Sequence, residues 1–220
     1  MLEGLALSIA FAALTSGGAS PAILPVGTHH YGIYDDGKRG GTSTIVVTRD
    51  KGSLRLTETM AFKDESAPMQ TTRMLDPETF TTLRYAVGGP GAHESVDVAP
   101  ESATYHNGTS DTRLEAATAG PSAVGDYLVG VYVALPAMIH ATTASAFSMY
   151  CICFGGFQVK SNVLVKATAA RPAGAPAGDA SLAFRSDDET VTLWYDPVSF
   201  VLHEMDVPDA RIKIVEDRTP

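Results

Sequence analysis

Short runs of strand-forming residues, each closed by a turn signal, follow one another through most of the chain. Residues 42–48 are rich in β-branched side chains and lie between an Asp-Gly turn and a second, glycine-containing turn. Residues 54–62 (LRLTETMAF) alternate with the period of two that is typical of a strand. The residues on one face of that strand are Leu54, Leu56, Glu58, Met60 and Phe62. Runs of this kind, bounded by turns, predict an antiparallel β protein.

The whole pattern predicts about ten to twelve short strands and one helix outside the N-terminal segment. The helix is expected from Tyr127 to about Leu135, with Asp126 as its N-cap and Pro136 as the residue that ends or kinks it. We therefore expect a mainly β fold. It is a large curved antiparallel sheet, a half-barrel or open barrel, with one short helix packed on it. No internal repeat is predicted, and residues 23–220 are expected to form a single domain.

The N-terminal segment has the features of an export signal. The apolar run Leu5–Leu14 is too short to span a bilayer, and Ser20-Pro21-Ala22 has the shape of a signal-peptidase site. Glu3 stands where such signals carry basic residues, so the alternative is a buried core helix. We favour a signal helix over residues 1–22. This predicts an exported protein, periplasmic or secreted, with no integral membrane segment in the mature chain.

Composition limits the class of partner. The chain has 220 residues, 45% of them hydrophobic, and a formal net charge of −9 with no cluster of Lys or Arg. An acidic chain without a basic patch is not expected to bind nucleic acid or anionic membrane surfaces. A chain of this length can bury a core without disulfides.

The stretch VTLWYDPVSFVLHEMD, residues 191–206, contains the single tryptophan, Trp194, together with Asp196, His203 and Glu204. It can be interpreted as an active site or as a β-hairpin. Asp196 and Pro197 are typical turn residues. The chain lacks a G-x-S-x-G elbow or a comparable nucleophile signature. We therefore favour the hairpin and expect no enzyme activity, with a hydrolase as the weakest alternative.

Two cysteines and a methionine share one face of a predicted strand. Cys151, Cys153 and Met149 are two residues apart in the stretch FSMYCICFGG. Buried free thiols are the favoured interpretation, with a strained disulfide and a soft metal site as alternatives. The six histidines show no metal-ligand spacing. We therefore predict neither a metal site nor a cofactor.

Glu58 is the charged residue on an otherwise apolar strand face. A buried carboxylate needs a partner, and Arg73 and Arg84 are the candidates. The alternative interpretation is a polar group inside a ligand cavity. The candidate lining residues are Leu56, Glu58, Met60, Phe62 and Trp194.

Several turns resemble those of a family of uncharacterised exported bacterial β-rich proteins. The similar stretches are D-G-K-x-G at residues 36–40, L-D-P-x-T at 75–79, Leu135-Pro136-Ala137, and W-Y-D-P at 194–197. The resemblance covers most of residues 27–215, except for the cysteine-containing segment. It implies the half-barrel architecture of lipoprotein carriers and their lipid-binding relatives, and it implies no catalytic residues.

These observations favour a non-catalytic exported module that binds or carries an apolar ligand, such as a lipid or another apolar small molecule. A structural or interaction protein of the cell envelope, with a filled core and no small ligand, is the alternative. The two differ in whether the concave face of the sheet contains a cavity.

Overall fold

The computed structural model describes residues 24–217, apart from short gaps at 51, 64, 66, 89–93, 126–128, 154–155, 168–169, 173–174 and 187–188, and apart from the side chain of Cys153. The predicted signal segment lies outside these residues. The described chain forms fifteen strands and one helix. In chain order they are β1 (Gly27–Asp35), β2 (Lys38–Asp50), β3 (Ser53–Phe62), β4 (Met69–Leu75), β5 (Thr82–Gly88), β6 (Ser95–Ala99), β7 (Ser102–His106), β8 (Asp111–Glu115), β9 (Ser122–Val124), α1 (Val129–Thr142), β10 (Ala146–Cys153), β11 (Gly156–Val165), β12 (Ala180–Ser186), β13 (Glu189–Tyr195), β14 (Leu202–Val207) and β15 (Ile212–Glu216).

All fifteen strands belong to one open sheet. Its order is β8-β7-β6-β5-β4-β3-β2-β1-β15-β14-β13-β12-β11-β10-β9, and the two edge strands do not close it into a barrel. The sheet curves so far that Tyr105 of β7 stacks on Phe157 of β11, with ring centroids 5.4 Å apart. The mainly β class, the curvature and the single helix are thus confirmed, while the strand number is higher than predicted.

One strand pair departs from the antiparallel prediction. β9 pairs with β10 in parallel, after a connection that contains α1. Parallel neighbours need such a crossover, whereas antiparallel neighbours can be joined by short turns. Strand β9 has only three residues, which are too few to give a periodic signal in the sequence.

Two parts of the sheet share one topology, and they are called here the first half and the second half. Strands β1–β6 form one six-stranded antiparallel meander and β10–β15 form another, and β1 pairs with β15 where they meet. Each half contains the same turn at the same place, LDPETF at residues 75–80 and YDPVSF at 195–200. The likeness of the two halves gives only a weak signal in the sequence. Equivalent strand positions share only their polarity pattern, and the common turn motif is six residues long.

The two turns also share their geometry. The Oδ1 atom of Asp76 accepts hydrogen bonds from the backbone N–H groups of the second and third residues after it, and Asp196 does the same. The turn ends at Phe80 in one half and at Phe200 in the other, each with φ of 58° and each buried. A bulky residue in the left-handed region is rare and persists only where packing holds it. The duplicated hairpin around residues 194–200 therefore confirms the structural interpretation of that stretch.

Acid should weaken both turns. Backbone hydrogen bonds, from Thr79 first for Asp76 and from Ser199 first for Asp196, lower the pKa of each carboxyl below its usual value. A depressed folded-state pKa stabilises the fold above the unfolded pKa of about 3.9, and this contribution is lost as the pH falls through the folded value. We expect the free energy of unfolding, measured by urea denaturation, to decrease below about pH 4.

The double variant Asp76→Asn/Asp196→Asn should show a smaller decrease, because asparagine keeps the turn hydrogen bonds but does not titrate in this range. Asp209→Asn, in another exposed turn, is the matched control and should keep the wild-type pH profile. Equal acid sensitivity of the double variant and the wild type would contradict the assignment.

Helix α1 fills the space enclosed by the curved sheet. Its residues from Val129 to Met138 are all buried, so the helix is apolar on every side. Pro136 lies inside it rather than at its end, which corrects the predicted boundary. Burial of the helix from Val129 to Met138 offsets the missing backbone donor of a proline. The predicted N-cap, Asp126, lies outside the described residues. In the described part of the chain, no helix has the length and apolar character needed to cross a membrane.

Candidate functional site

A cavity of about 510 Å³ lies on the concave face of the second half, against the end of β1, the start of β2 and the end of β3. This volume is within the range of about 300–1,000 Å³ that is typical of small-molecule sites. Most of the lining is apolar or aromatic. The large apolar members are Ile33, Phe62, Tyr132, Met149, Phe184, Val191, Met205, Val207, Ile212 and Ile214.

The two halves can be compared residue by residue, because the turns at Asp76 and Asp196 and the strand register align them. Glu58 and Phe184 occupy equivalent positions, as do Arg73 and Leu193. Glu58 lies opposite Ile45 and Thr71 on its neighbouring strands, and Phe184 lies opposite Leu164 and Val191. Arg73 lies opposite Tyr85 in the same way that Leu193 lies opposite Met205. The two halves therefore differ at the centre of the concave face: one carries an ion pair there and the other is apolar.

In the first half, the ion pair binds the N-terminal end of α1. Glu58 Oε2 accepts hydrogen bonds from Arg73 Nη1 at 3.2 Å and from the backbone N–H of Gly130 at 3.1 Å. Its Oε1 accepts one from the Ser43 hydroxyl at 2.9 Å. Arg73 Nε donates to the carbonyl of Val124 at 3.0 Å. The carboxylate thus satisfies a free helix N–H and lies at the positive end of the helix dipole.

This network assigns Glu58 a structural role. Both charged side chains are about 1% exposed, and the Arg73 guanidinium lies 5.0 Å from the ring centroid of Tyr85. Arg73 is the partner, whereas the other candidate, Arg84, is exposed and pairs with Asp97 at 3.5 Å. Glu58 does not line the cavity.

In the second half, no ion pair anchors a helix at the equivalent place, and the cavity opens there. Polar residues lie toward its rim instead. Asn162 is buried, and its Nδ2 donates to the backbone carbonyl of Lys160 at 3.3 Å. Ser186, directly opposite Asn162 in the register, has a buried Oγ with no hydrogen-bond partner. Lys160, Glu189 and Asp35 complete the polar part of the lining, and Lys160 is already engaged in an interaction.

A second groove, of about 700 Å³, lies beside the C-terminal end of α1 and the turn at residues 75–80. Its lining is mainly Thr, Ser, Ala, Pro and Gly, with Leu83 and Val98 as its larger apolar residues. It lacks the aromatic and branched walls that hold an apolar ligand. We therefore regard the smaller cavity as the functional candidate.

A cluster of ionisable residues lies at the opposite end of the concave face. His203 Nδ1 is 2.8 Å from Asp179 Oδ2, and its Nε2 is 3.7 Å from Glu216 Oε2. His29 Nδ1 is 3.9 Å from the other oxygen of Glu216. Asp179, rather than Asp196, is thus the carboxylate that contacts His203. Among the described residues, no group of three or more His, Cys, Asp and Glu side chains is arranged to hold a metal ion.

The predicted lining residues are only partly brought together. Phe62 lines the cavity, whereas Leu56 and Met60 are packed in the core beside it. Trp194 is buried, opposite Glu204 and Ser181 on the neighbouring strands, and it does not line the cavity. Most of the lining comes from the second half. Its signal in the sequence was the alternation of β12–β15, which shows a buried face but not which part of that face is filled.

Cys151 is fully buried and disulfide-bonded, which corrects the favoured interpretation as a free thiol. The other cysteine of the chain is Cys153, whose side chain lies outside the description. Met149 lines the cavity. A cysteine in a disulfide does not supply the thiolate that a soft metal ion requires.

Comparison of the chain with protein-family models, curated proteins and solved structures found no match. The resemblance to exported half-barrel proteins therefore stays a prediction.

Proposed function

We propose that the protein is an exported, non-catalytic module that binds or carries an apolar ligand in the cavity of the second half. The cavity on the concave face is the observation that carries this proposal. A structural protein needs a filled core, since an empty space costs dispersion contacts and hydrophobic free energy. Leu54, Leu56, Met60 and Phe147 are packed, but Phe62 at the end of β3 faces open volume.

The chemistry of the lining favours an apolar ligand. The walls offer aliphatic side chains from four strands and the rings of Phe62, Tyr132 and Phe184. Burial of an apolar chain against such walls gains about 25 cal/mol per Å² of surface removed from water. A polar metabolite would find too few hydrogen-bond partners at the apolar centre.

Export is supported by two independent features. The N-terminal segment has the apolar run and small residues of a signal, and the protein contains disulfide-bonded Cys151. Structural disulfides persist in oxidising compartments such as the periplasm or the extracellular space.

Filling the cavity should abolish binding without unfolding the protein. We expect Ile212→Trp to fill the rim end of the cavity, because Ile212 lines it and is only partly buried. Native mass spectrometry of residues 23–220, recovered from an exported preparation, should show a bound mass that is released on denaturation. The variant should carry none, and its affinity for an added fluorescent fatty-acyl probe should fall at least about tenfold, or 1.4 kcal/mol.

Val163→Trp provides the matched control, because Val163 is 50% exposed and does not line the cavity. It should bind like the wild type. A clean apo mass for the wild type, with no uptake of the probe, would refute the carrier proposal and leave the envelope interaction protein as the better account.

A further inference from the structure

The polarity of the two halves is inverted along the concave face. At the centre, the first half has Glu58 and Arg73 where the second has Phe184 and Leu193. Toward the ends of the same strands Ser43 and Asn162 are polar in both halves, and the neighbouring positions reverse the relation. There the first half has Gly41, Met60 and Met69, and the second has Lys160, Ser186 and Glu189.

This inversion separates the cavity into an apolar inner part and a polar rim. A site of that form suits a ligand with an apolar chain and one polar end. We propose that the cavity takes a single-chain amphiphile, apolar end inward, whose uncharged head group hydrogen-bonds to Ser186 and Asn162. The inference rests on the proposed function and adds the chemical class of the head group.

The hydrogen-bonding capacity of the rim supports an uncharged head. The buried Ser186 Oγ has no hydrogen-bond partner among the described residues, and a hydroxyl can donate or accept a hydrogen bond. A buried polar atom without a partner is costly, so a ligand hydroxyl or ester carbonyl at this place removes a penalty. Neighbouring Asn162 is buried as well and supplies an amide.

The charges of the rim disfavour a charged head. Two carboxylates, Asp35 and Glu189, and one ammonium, Lys160, line the cavity. Lys160 is already engaged, so an anionic head would face the carboxylates without a dedicated cation. A cationic head would meet the Lys160 ammonium as well as the two carboxylates, so repulsion cancels part of the attraction. Either charge would also lose hydration in a cavity whose centre is apolar.

The test compares ligands that share one acyl or alkyl chain and differ in the head. We would measure dissociation constants by isothermal titration for 1-monolauroylglycerol, laurate and dodecyltrimethylammonium, below their aggregation limits. The neutral ligand should bind at least about tenfold more tightly than either charged one. Laurate or the ammonium amphiphile binding as tightly as the neutral ligand would overturn the head-group assignment.

Ser186→Ala locates the head. It removes a hydroxyl that has no protein partner, so folding should be unaffected, and affinity for the neutral ligand should fall about three- to tenfold. Ser181→Ala, an exposed serine on the same strand, should leave the affinity unchanged. Unchanged affinity in Ser186→Ala would overturn the inference but not the carrier proposal. If none of the three ligands binds the wild type, both the head-group inference and the carrier proposal are refuted.

Discussion

Arg73→Met is expected to destabilise the protein by about 3–5 kcal/mol, because it leaves the Glu58 carboxylate buried without its counter-charge. The pair is about 1% exposed, so water cannot replace the guanidinium. The variant also loses the hydrogen bond to the carbonyl of Val124, which connects the sheet to the segment before α1. Guanidinium denaturation, followed by the fluorescence of buried Trp194, measures the change.

Two comparisons make the result specific. Arg84→Met removes an exposed arginine with a surface partner, and such pairs contribute about 0–1 kcal/mol. In Glu58→Gln/Arg73→Met the buried charge is gone. The double variant should therefore lose less stability than the sum of the losses of Glu58→Gln and Arg73→Met. If Arg73→Met unfolds at the same denaturant concentration as Arg84→Met, the ion pair does not anchor the helix.

Gly130→Ala is expected to destabilise the protein, although a change from glycine to alanine usually stabilises a helix. In an ordinary helix interior, alanine is more favourable than glycine by about 1 kcal/mol. At Gly130 an added Cβ would lie 2.5 Å from Arg73 Nη1 and 2.8 Å from Glu58 Oε2. Both side chains are fixed by the buried network, so we expect a net loss of about 1–3 kcal/mol from overpacking.

Two further experiments serve as controls for Gly130→Ala: the same substitution in the Arg73→Met variant, and a substitution elsewhere in α1. In Arg73→Met the nitrogen nearest the new Cβ is absent, so Gly130→Ala should cost less there than in the wild type. Ala141→Gly, at an exposed position of α1, should follow ordinary helix propensity and destabilise slightly. Stabilisation of the wild type by Gly130→Ala would show that the helix end is free to move away from the ion pair.

Much of the fold could be predicted from local chemistry. The alternation of residues 54–62 predicted β3, and Asp196-Pro197 predicted the turn between β13 and β14. Turn residues act through their own backbone, so their effect is visible in sequence. The end of α1 was wrong because Pro136 lies in a helix that is held by packing on all sides, a tertiary effect that outweighs local propensity.

The candidate site was harder to predict, for a physical reason. Phe62 and Met60 have the same character and lie on the same strand face, yet one lines the cavity and the other is packed in the core. The N-terminal end of α1 is held by Glu58, and the helix packs against strands of both halves, so tertiary packing decides which strand residues it covers. Only the register of the two halves shows that Phe184 replaces Glu58, and the sequence around these two residues gives no alignment that would show it.

Methyl NMR of the methionines in residues 23–220 most directly tests whether an apolar ligand binds in the cavity of the second half. Met149 and Met205 line the cavity, whereas Met60 and Met138 are buried in the core outside its lining. Titration with 1-monolauroylglycerol should shift the methyl signals of Met149 and Met205 in a saturable way and leave those of Met60 and Met138 in place. Unchanged Met149 and Met205 signals at concentrations that saturate binding would contradict the account.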